Sequence, residues 1–206
     1  MVSQIKVNEI IKQSGSSITI GESGDTVSIP TTLNATTIQQ GGSAITQGIT
    51  NAEQWGLTSD VTLDSTSGIL ITPFSRYTSS GGTSIGTSIS SSSGTFSFGQ
   101  TGIYNIRASV GFIRLNHLNQ YIGGRINYST NGGSSYSNVA NLYTNLPDSA
   151  NTHASVTLET IVDVTSTSDC KVQLRAQTSD ASGAKVASFG TSDVYTGIVF
   201  IRLGDT

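Results

Sequence analysis

The short stretch GTSIG at residues 82–86 matches the pattern G-x-S-x-G, in which a serine hydroxyl serves as the nucleophile of many hydrolases. Ser84 occupies the nucleophile position, and Asp148 and His153 follow in the order that such enzymes use for acid and base. That pattern requires a helix after the serine, whereas a run rich in Ser and Gly follows here. We therefore expect a surface strand or loop at Ser84, and no catalysis.

Other residues that could perform chemistry form no complete group. The two histidines, His117 and His153, have no neighbours at the spacing of metal ligands. The aspartates of SDASG (179–183) lack the alternating pattern of a calcium loop. Glu159 stands alone in a predicted strand, whereas glycoside hydrolysis needs two carboxylates. The sequence therefore predicts no enzyme, no metal site and no cofactor, although an ion on a symmetry axis would leave no such pattern.

Tyrosine and asparagine side chains around the central hairpin indicate recognition of a polar ligand. A tyrosine ring packs on the C–H face of a sugar, and an amide bonds to its hydroxyls. The alternative, which we favour, is that these tyrosines fill the protein interior or a contact between subunits. The candidate ligand-binding residues are Tyr121, Tyr128, Tyr136, Asn138, Tyr143 and His117.

The composition restricts the partners. The chain of 206 residues has a net charge of −3 and no stripe of Lys and Arg, so we predict no binding to nucleic acid. No apolar run is long enough for insertion into a membrane. The lone Cys170 permits no internal disulfide and is interpreted as a small buried strand residue. Because only 35% of the residues are hydrophobic, contacts between subunits are expected to supply part of the burial.

Residues 1–54 differ from the rest because they lack aromatic residues and carry their apolar residues in short alternating pieces. One chain of such pieces cannot cover both faces of its strands, whereas three chains wound around an axis can. We therefore predict an intertwined β-stalk, against the alternative of a flexible linker. Its inward-facing residues would be Ile18, Ile20, Val27, Ile29, Leu33 and Ile38.

The extreme N-terminus, MVSQIKVNEIIKQ, is a small apolar element whose periodicity fits either a strand or a helix. We interpret it as an anchor on a partner, through Ile5, Val7, Ile10 and Ile11. Residues 41–60, rich in Gly, are interpreted as the junction at which the second region begins.

Residues 55–206 form the second predicted domain, in which short candidate strands recur and no helical pattern is visible. The stretch STNGGSSY predicts a hairpin, with Asn131 and Gly132 able to take positive φ. The ten candidate strands are 68–74, 83–90, 95–98, 103–115, 120–130, 135–143, 153–164, 170–178, 184–190 and 194–203.

The longest candidate strand, 103–115, has one apolar face and one polar, small face. The apolar face carries Tyr104, Ile106, Ala108, Val110 and Phe112, and the other carries Asn105, Arg107, Ser109, Gly111 and Ile113. A face of small residues suits close approach by another subunit or sheet.

The second domain resembles the jelly-roll heads of the complement globular-head and tumour necrosis factor superfamily. The resemblance lies in TFSFGQTGIYNIRASVGF, VDVTSTSDCKVQLRAQ and VYTGIVFIRL. Gly102 and Tyr104 fill a Gly-x-Tyr pattern that opens the long strand, Asp169 lies in a late hairpin, and Gly197 and Phe200 lie in the last strand. The resemblance implies an all-β, ten-stranded jelly-roll sandwich that assembles as a homotrimer.

The N-terminal part, from SQIKVNEIIKQ to TTLNATTI, is similar to the openings of structural proteins of tailed phages, especially those of marine bacteria. This similarity implies an anchor on other virion proteins, of the capsid or the tail, and a place on the virion surface. We therefore predict a homotrimeric capsid decoration protein or short fibre. The alternatives are a tail fibre that binds a host-surface glycan and a non-viral extracellular sugar-binding module.

Overall fold

The structure is a computed structural model of the 206-residue chain, which divides into two compact units, Met1–Ile45 and Thr46–Thr206. In the first unit, strand β1 (Gln39–Gln40) pairs antiparallel with β2 (Ser43–Ala44). The predicted anchor residues (Ile5, Val7, Ile10, Ile11) and stalk residues (Ile18, Ile20, Val27, Ile29, Leu33, Ile38) lie outside the described residues. The structure describes residues 35, 39–40, 43–44, 48–77, 84–86, 89–115, 121–145, 149, 152–181, 184–187 and 196–206.

The described part of the second unit consists of strands, turns and loops. Alternating apolar and polar residues give each long strand one face for the interior and one for the surface. The strands are β3 (Ala52–Leu57), β4 (Val61–Thr62), β5 (Ile69–Leu70), β6 (Phe74–Arg76), β7 (Ile89–Ser92), β8 (Thr95–Phe98), β9 (Gly102–Arg114), β10 (Ile122–Thr130), β11 (Ser137–Thr144), β12 (His153–Val164), β13 (Cys170–Thr178), β14 (Ala184–Val186) and β15 (Gly197–Gly204).

These strands form two antiparallel sheets. The six-stranded sheet has the order β11-β10-β13-β8-β7, and β5 also pairs with β13. The seven-stranded sheet has the order β4-β14-β9-β15-β3-β6, and β12 pairs with the other edge of β9 along its whole length. The prediction of an all-β fold is confirmed for the described residues.

Aromatic side chains from both sheets meet in the core. Phe96 of the six-stranded sheet packs on Phe200 of the seven-stranded sheet, with ring centroids 5.1 Å apart. Trp55 and Phe74 also contact Phe96, at 5.8 and 5.2 Å between centroids. Such ring pairs add to the free energy gained by burying apolar surface. The two sheets are thus packed face to face as a sandwich.

Strand β9 confirms the predicted division into two faces. The side chains assigned to the interior, Tyr104, Ile106, Ala108, Val110 and Phe112, are at most 1% exposed. On the opposite face Arg107 is exposed, while Gly111 is buried. Cys170, at the start of β13, is fully buried, as predicted.

Strand β3 was missing from the prediction, which placed residues 41–60 in a junction. Its inward face contains Glu53, and a charged residue there hides the apolar alternation of Trp55 and Leu57. The predicted domain boundary between residues 54 and 55 falls inside this strand, and the second compact unit begins at Thr46.

The hairpin between β10 and β11 has the predicted location but a different turn. Gly132 and Gly133 have φ of +72° and +90°, whereas Asn131 does not take positive φ. Asn131 instead closes the turn with its side chain, because its Oδ1 accepts hydrogen bonds from Ser129 Oγ at 2.8 Å and from the Ser135 amide at 3.0 Å. Asparagine commonly stabilises turns through such side-chain bonds.

Candidate functional site

The serine that matches the hydrolase pattern lies far from the histidine proposed to accompany it. Ser84 precedes Ile85, whose backbone pairs with Ala52, the first residue of β3. Ala52 is level with Asn105 on β9, because both residues pair with Ile201 of β15. His153 pairs with Ile113, at the other end of β9. At about 3.3 Å per residue the two levels are ~26 Å apart along the sheet. Ser84 and His153 therefore cannot act as nucleophile and base of one site within a chain.

Several further candidates cannot be placed or form no site. His117 and Asp148 lie outside the described residues. Asn138 is exposed on β11, opposite Asn127.

Within the described ranges, no group of three His, Cys, Asp or Glu residues could hold a metal ion. The same ranges contain no helix that is long and apolar enough to cross a bilayer.

Tyr128 has a structural role. Its ring packs against the core, and its hydroxyl donates a hydrogen bond of 2.7 Å to the Asp163 carbonyl on β12, in the other sheet. Burial, with a further contribution from neighbouring Cys170, raises the pKa of Tyr128 far above the ordinary tyrosine value. The alternative that tyrosines serve the interior of the sandwich therefore applies to this residue.

Tyr136 stands at the hairpin turn rather than on a sheet face. A Cβ atom at Gly133 would lie 2.9 Å from the Tyr136 hydroxyl, so the side chain covers the turn. Its position after the turn separates it from the tyrosines near the opposite end of β10.

Tyr121 and Tyr143 are brought together on the outer face of the six-stranded sheet. Their rings meet edge to face, with centroids 5.2 Å apart and an interplanar angle of 83°. The Tyr143 hydroxyl accepts a hydrogen bond from Arg125 Nη2 and donates one to Gln177 Oε1, each at 3.2 Å. Two of the predicted ligand-binding residues thus share one surface with an arginine and a glutamine.

A glycine allows the Tyr143 ring to lie flat against the sheet. Gly123 is the cross-strand partner of Tyr143, and a Cβ at Gly123 would lie 2.3 Å from Cδ1 of that ring. The ring therefore occupies the space that a side chain on β10 would fill.

Two arginines on this face were not among the predicted site residues. Arg125 on β10 is directly opposite Arg175 on β13. Arg175 donates to Gln173 Oε1 at 3.0 Å and to the Gly68 carbonyl at 2.8 Å. Alternation along IGGRINY and CKVQLRAQ assigns both arginines to an outward face, but only the strand register brings them together.

The outer face of the seven-stranded sheet mixes polar, charged and apolar side chains. Asn105 Nδ2 donates to Glu159 Oε1 at 2.8 Å, and their cross-strand partners on this face are Ile161 and Arg107. The apolar side chains here include Ile161, which is 62% exposed, and Leu203, which is 56% exposed. A shallow depression on this face is lined by Gln54, Arg107, Ser109, Gly197 and Val199.

A second exposed apolar surface lies on β11, the edge strand of the six-stranded sheet. Val139 and Leu142 are both exposed there. Leu142 pairs with Gly124, whose neighbours Val156 and Leu158 belong to β12 of the other sheet. The apolar edge of the sandwich is therefore open to solvent in a single chain.

Comparison with known proteins identifies the class of fold. No family model matches the chain, and no curated protein matches it in sequence. The crystal structure of murine APRIL at pH 8.0 superposes with a TM-score of 0.54 at 10% identity, over 74% of this chain and 98% of that one. APRIL at pH 5.0 gives 0.54 at 12% identity over the same shares. Eiger TNF from S. frugiperda gives 0.50 at 9% identity, over 75% of this chain and 93% of that one.

These likenesses establish a jelly roll of the tumour necrosis factor type, as predicted for the second domain, although its described residues form thirteen strands, β3–β15, rather than the ten predicted. At such low identity they concern the fold alone.

Proposed function

We propose that this protein is a homotrimeric structural protein of a virion, a capsid decoration protein or short fibre whose jelly-roll head faces outward. The observation that carries the assembly is the presence of two exposed apolar surfaces in different places on one head. The face patch, on the seven-stranded sheet, comprises Ile103, Ile161, Val199, Ile201 and Leu203, and the edge patch, on β11, comprises Val139 and Leu142.

Two unlike patches favour a ring over a twofold dimer. A twofold interface joins a surface to its own copy, whereas the contact of an edge patch with a neighbour's face patch is heterologous and forms a ring when the rotation between subunits closes. The number three comes from the resemblance to tumour necrosis factor heads. Exposed patches of this kind on a small domain are typical of interaction sites.

The virion location rests on the N-terminal similarity to structural proteins of tailed phages. An apolar segment at one end and a sandwich at the other suit a protein that attaches at its N-terminus and presents its head. Three linked anchors would raise the avidity for the virion without any new kind of contact.

The oligomeric state is tested by light scattering on the full chain at micromolar concentration. We expect three times the 21.4 kDa of one chain. Ile161→Glu places a charge in the face patch and should yield monomers, whereas Ser90→Glu, on an exposed position of β7, should leave the trimer intact. A folded monomer of the unaltered chain would refute the assembly.

The virion location is tested by mass spectrometry of purified virions of the phage whose genome encodes this chain. A high copy number indicates capsid decoration, and a few copies indicate the tail. Absence of the protein from intact virions would contradict the proposal.

The tail-fibre alternative is favoured by one specific observation. The exposed Tyr143 and the half-buried Tyr121 and Arg125 form an aromatic and polar surface on the head, which suits recognition of a host-surface glycan. In that version the head binds a host receptor and the N-terminus binds the tail.

A further inference from the structure

The outer face of the six-stranded sheet carries two like charges in direct opposition. Arg125 and Arg175 are cross-strand partners, and their chain neighbours Ile126 and Leu174 are fully buried, so both arginines project outward. Directly opposed like charges destabilise a sheet. The pair concentrates positive charge at one place on this face.

No acidic residue in this sheet compensates the two arginines. Strands β5, β7, β8, β10, β11 and β13 contain Arg125, Lys171 and Arg175 but neither Asp nor Glu, in a chain whose net charge is −3. Neither arginine forms an ion pair among the described residues. Their hydrogen bonds go to neutral acceptors, namely the Tyr143 hydroxyl, Gln173 and the Gly68 carbonyl.

Arg125 also retains an unused donor. Its Nε is buried and has no hydrogen-bond partner among the described residues. A buried donor without an acceptor costs free energy, and the guanidinium gains no charge-assisted hydrogen bond from the described residues. A carboxylate matches the planar fork of a guanidinium and can accept two parallel hydrogen bonds from it.

The surroundings of the arginine pair suit a sugar ring. The exposed Tyr143 ring lies one row along the same face, over Gly123, with Tyr121 against its edge. Amide groups of Gln177 and Asn141 stand beside Tyr143 and Arg125 on the neighbouring strands. Aromatic rings bind the C–H face of a saccharide, and amides bind its hydroxyls.

We propose that this surface binds an acidic saccharide, with the carboxylate of a uronic-acid unit on Arg125 and Arg175 and its ring on Tyr143. We call it the arginine–tyrosine platform. The proposal names the ligand class for the tail-fibre alternative. It rests on the proposed function only in assuming that the saccharide belongs to a host surface. The residues of the platform are Tyr121, Arg125, Asn141, Tyr143, Arg175 and Gln177.

Calorimetric titration of the full chain with three probes tests the ligand class. The probes are an oligogalacturonate, the neutral oligogalactoside of equal length, and inorganic sulfate. We expect heat of binding with the oligogalacturonate and little with the other two. Equal binding of the neutral sugar would overturn the role of the carboxylate, and equal binding of sulfate would overturn the role of the sugar. No binding of the oligogalacturonate would overturn the whole proposal.

Two single-charge variants locate the site. Arg125→Ala should weaken binding of the oligogalacturonate about tenfold or more, the usual effect of a lost charge-assisted hydrogen bond. Lys171→Ala also removes one positive charge, but from a position on β13 that is ~13 Å from Arg175 at about 3.3 Å per residue. This control variant should change the affinity little. Equal losses in both variants would indicate attraction to the protein's charge in general and would contradict the platform.

A third variant guards against a structural effect of Arg125→Ala. Arg125→Lys keeps the charge but loses the planar fork, so it should bind more weakly than the unaltered chain and more tightly than Arg125→Ala. Because the trimer and its presence in virions are measured separately, a failure of saccharide binding leaves the proposed function standing.

Discussion

The two sheets of the sandwich treat their charged residues in opposite ways. In the seven-stranded sheet Glu53, which is 1% exposed, lies 2.7 Å from the guanidinium of Arg76 and also accepts hydrogen bonds from Asn51 and the Ile89 amide. In the six-stranded sheet Arg125 faces another arginine and neutral acceptors.

This difference separates charges that hold the domain together from charges that are available to a ligand. The buried Glu53 carboxylate is compensated within the chain by the partly exposed Arg76, and removing the arginine leaves the carboxylate without a cation. Opposed arginines at the surface gain nothing from one another. The same residue type therefore contributes to stability in one sheet and is expected to contribute to binding in the other.

The largest expected effect is the loss of Arg76. Arg76→Ala leaves the Glu53 carboxylate buried without its cation, and it also removes the guanidinium that lies 5.0 Å from the Trp55 ring centroid. We expect the free energy of unfolding to fall by about 3–5 kcal/mol. Chemical denaturation at a fixed protein concentration measures it, because unfolding of an oligomer depends on concentration.

A surface ion pair supplies the control for Arg76→Ala. Lys185 Nζ lies 2.5 Å from Asp60 Oδ2, and both side chains are partly exposed. Lys185→Ala should therefore cost only about 0–1 kcal/mol. A similar loss in both variants would show that the burial of Glu53 is not what matters.

The two sheets also show which features could be predicted from the sequence and which could not. Strands β8, β12 and β13 were predicted with their observed limits, and the buried face of β9 was predicted correctly, because alternation is a local property. Strand β3 was missed because its inward Glu53 is compensated by Arg76, a residue distant in the chain. The pairing of Arg125 with Arg175 likewise depends on strand register, which joins distant segments.

The tyrosines illustrate the same limit for the candidate site. Tyrosine near a hairpin suggests either packing or recognition, and the side of the sheet decides between them. Tyr128 faces the other sheet, whereas Tyr143 lies on the outer face over Gly123. A β-bulge between Ile126 and Asn127 shifts the register of β10 against β11, and no pattern in the sequence announces it.

Gly123→Ala tests the platform through its backbone and is the second prediction. The new Cβ would lie 2.3 Å from the Tyr143 ring and 2.8 Å from the Leu142 carbonyl, so ring and strand must both move. We expect a loss of about 1–3 kcal/mol in the free energy of unfolding, as for other overpacked sites.

A glycine with free space around it is the matched control. No atom would lie within 4 Å of a Cβ at Gly204, so Gly204→Ala should be close to neutral. If both substitutions prove neutral in denaturant titrations, the Tyr143 ring does not rest on Gly123.

The third prediction concerns the tyrosine that joins the two sheets. Tyr128→Phe removes the hydrogen bond to the Asp163 carbonyl and should cost about 0.5–1.5 kcal/mol at neutral pH. Since burial raises the pKa of Tyr128, the folded state favours its neutral form. That contribution to stability is complete below pH ~10, the tyrosine value in an unfolded chain, and is lost as the pH rises above it.

Phenylalanine has no proton to lose, so the advantage of tyrosine at position 128 should shrink above pH ~10 and then reverse. Denaturation of both proteins between neutral pH and pH ~11 measures the difference, in which the other tyrosines cancel. A difference that stays constant over this range would contradict a buried Tyr128 hydroxyl.

The smallest expected effect gives the most direct comparison of the two sheets. Arg125→Ala is the same substitution as Arg76→Ala, but it relieves the repulsion of Arg175 while losing one exposed hydrogen bond to Tyr143. We expect the free energy of unfolding to change by no more than about 0.5 kcal/mol, because the two contributions oppose each other. The stability of the unaltered chain should also rise more with added salt than that of the variant, since salt screens the arginine pair. A loss of several kcal/mol would mean that Arg125 holds the six-stranded sheet together as Arg76 holds the seven-stranded one, and the contrast between the sheets would fail.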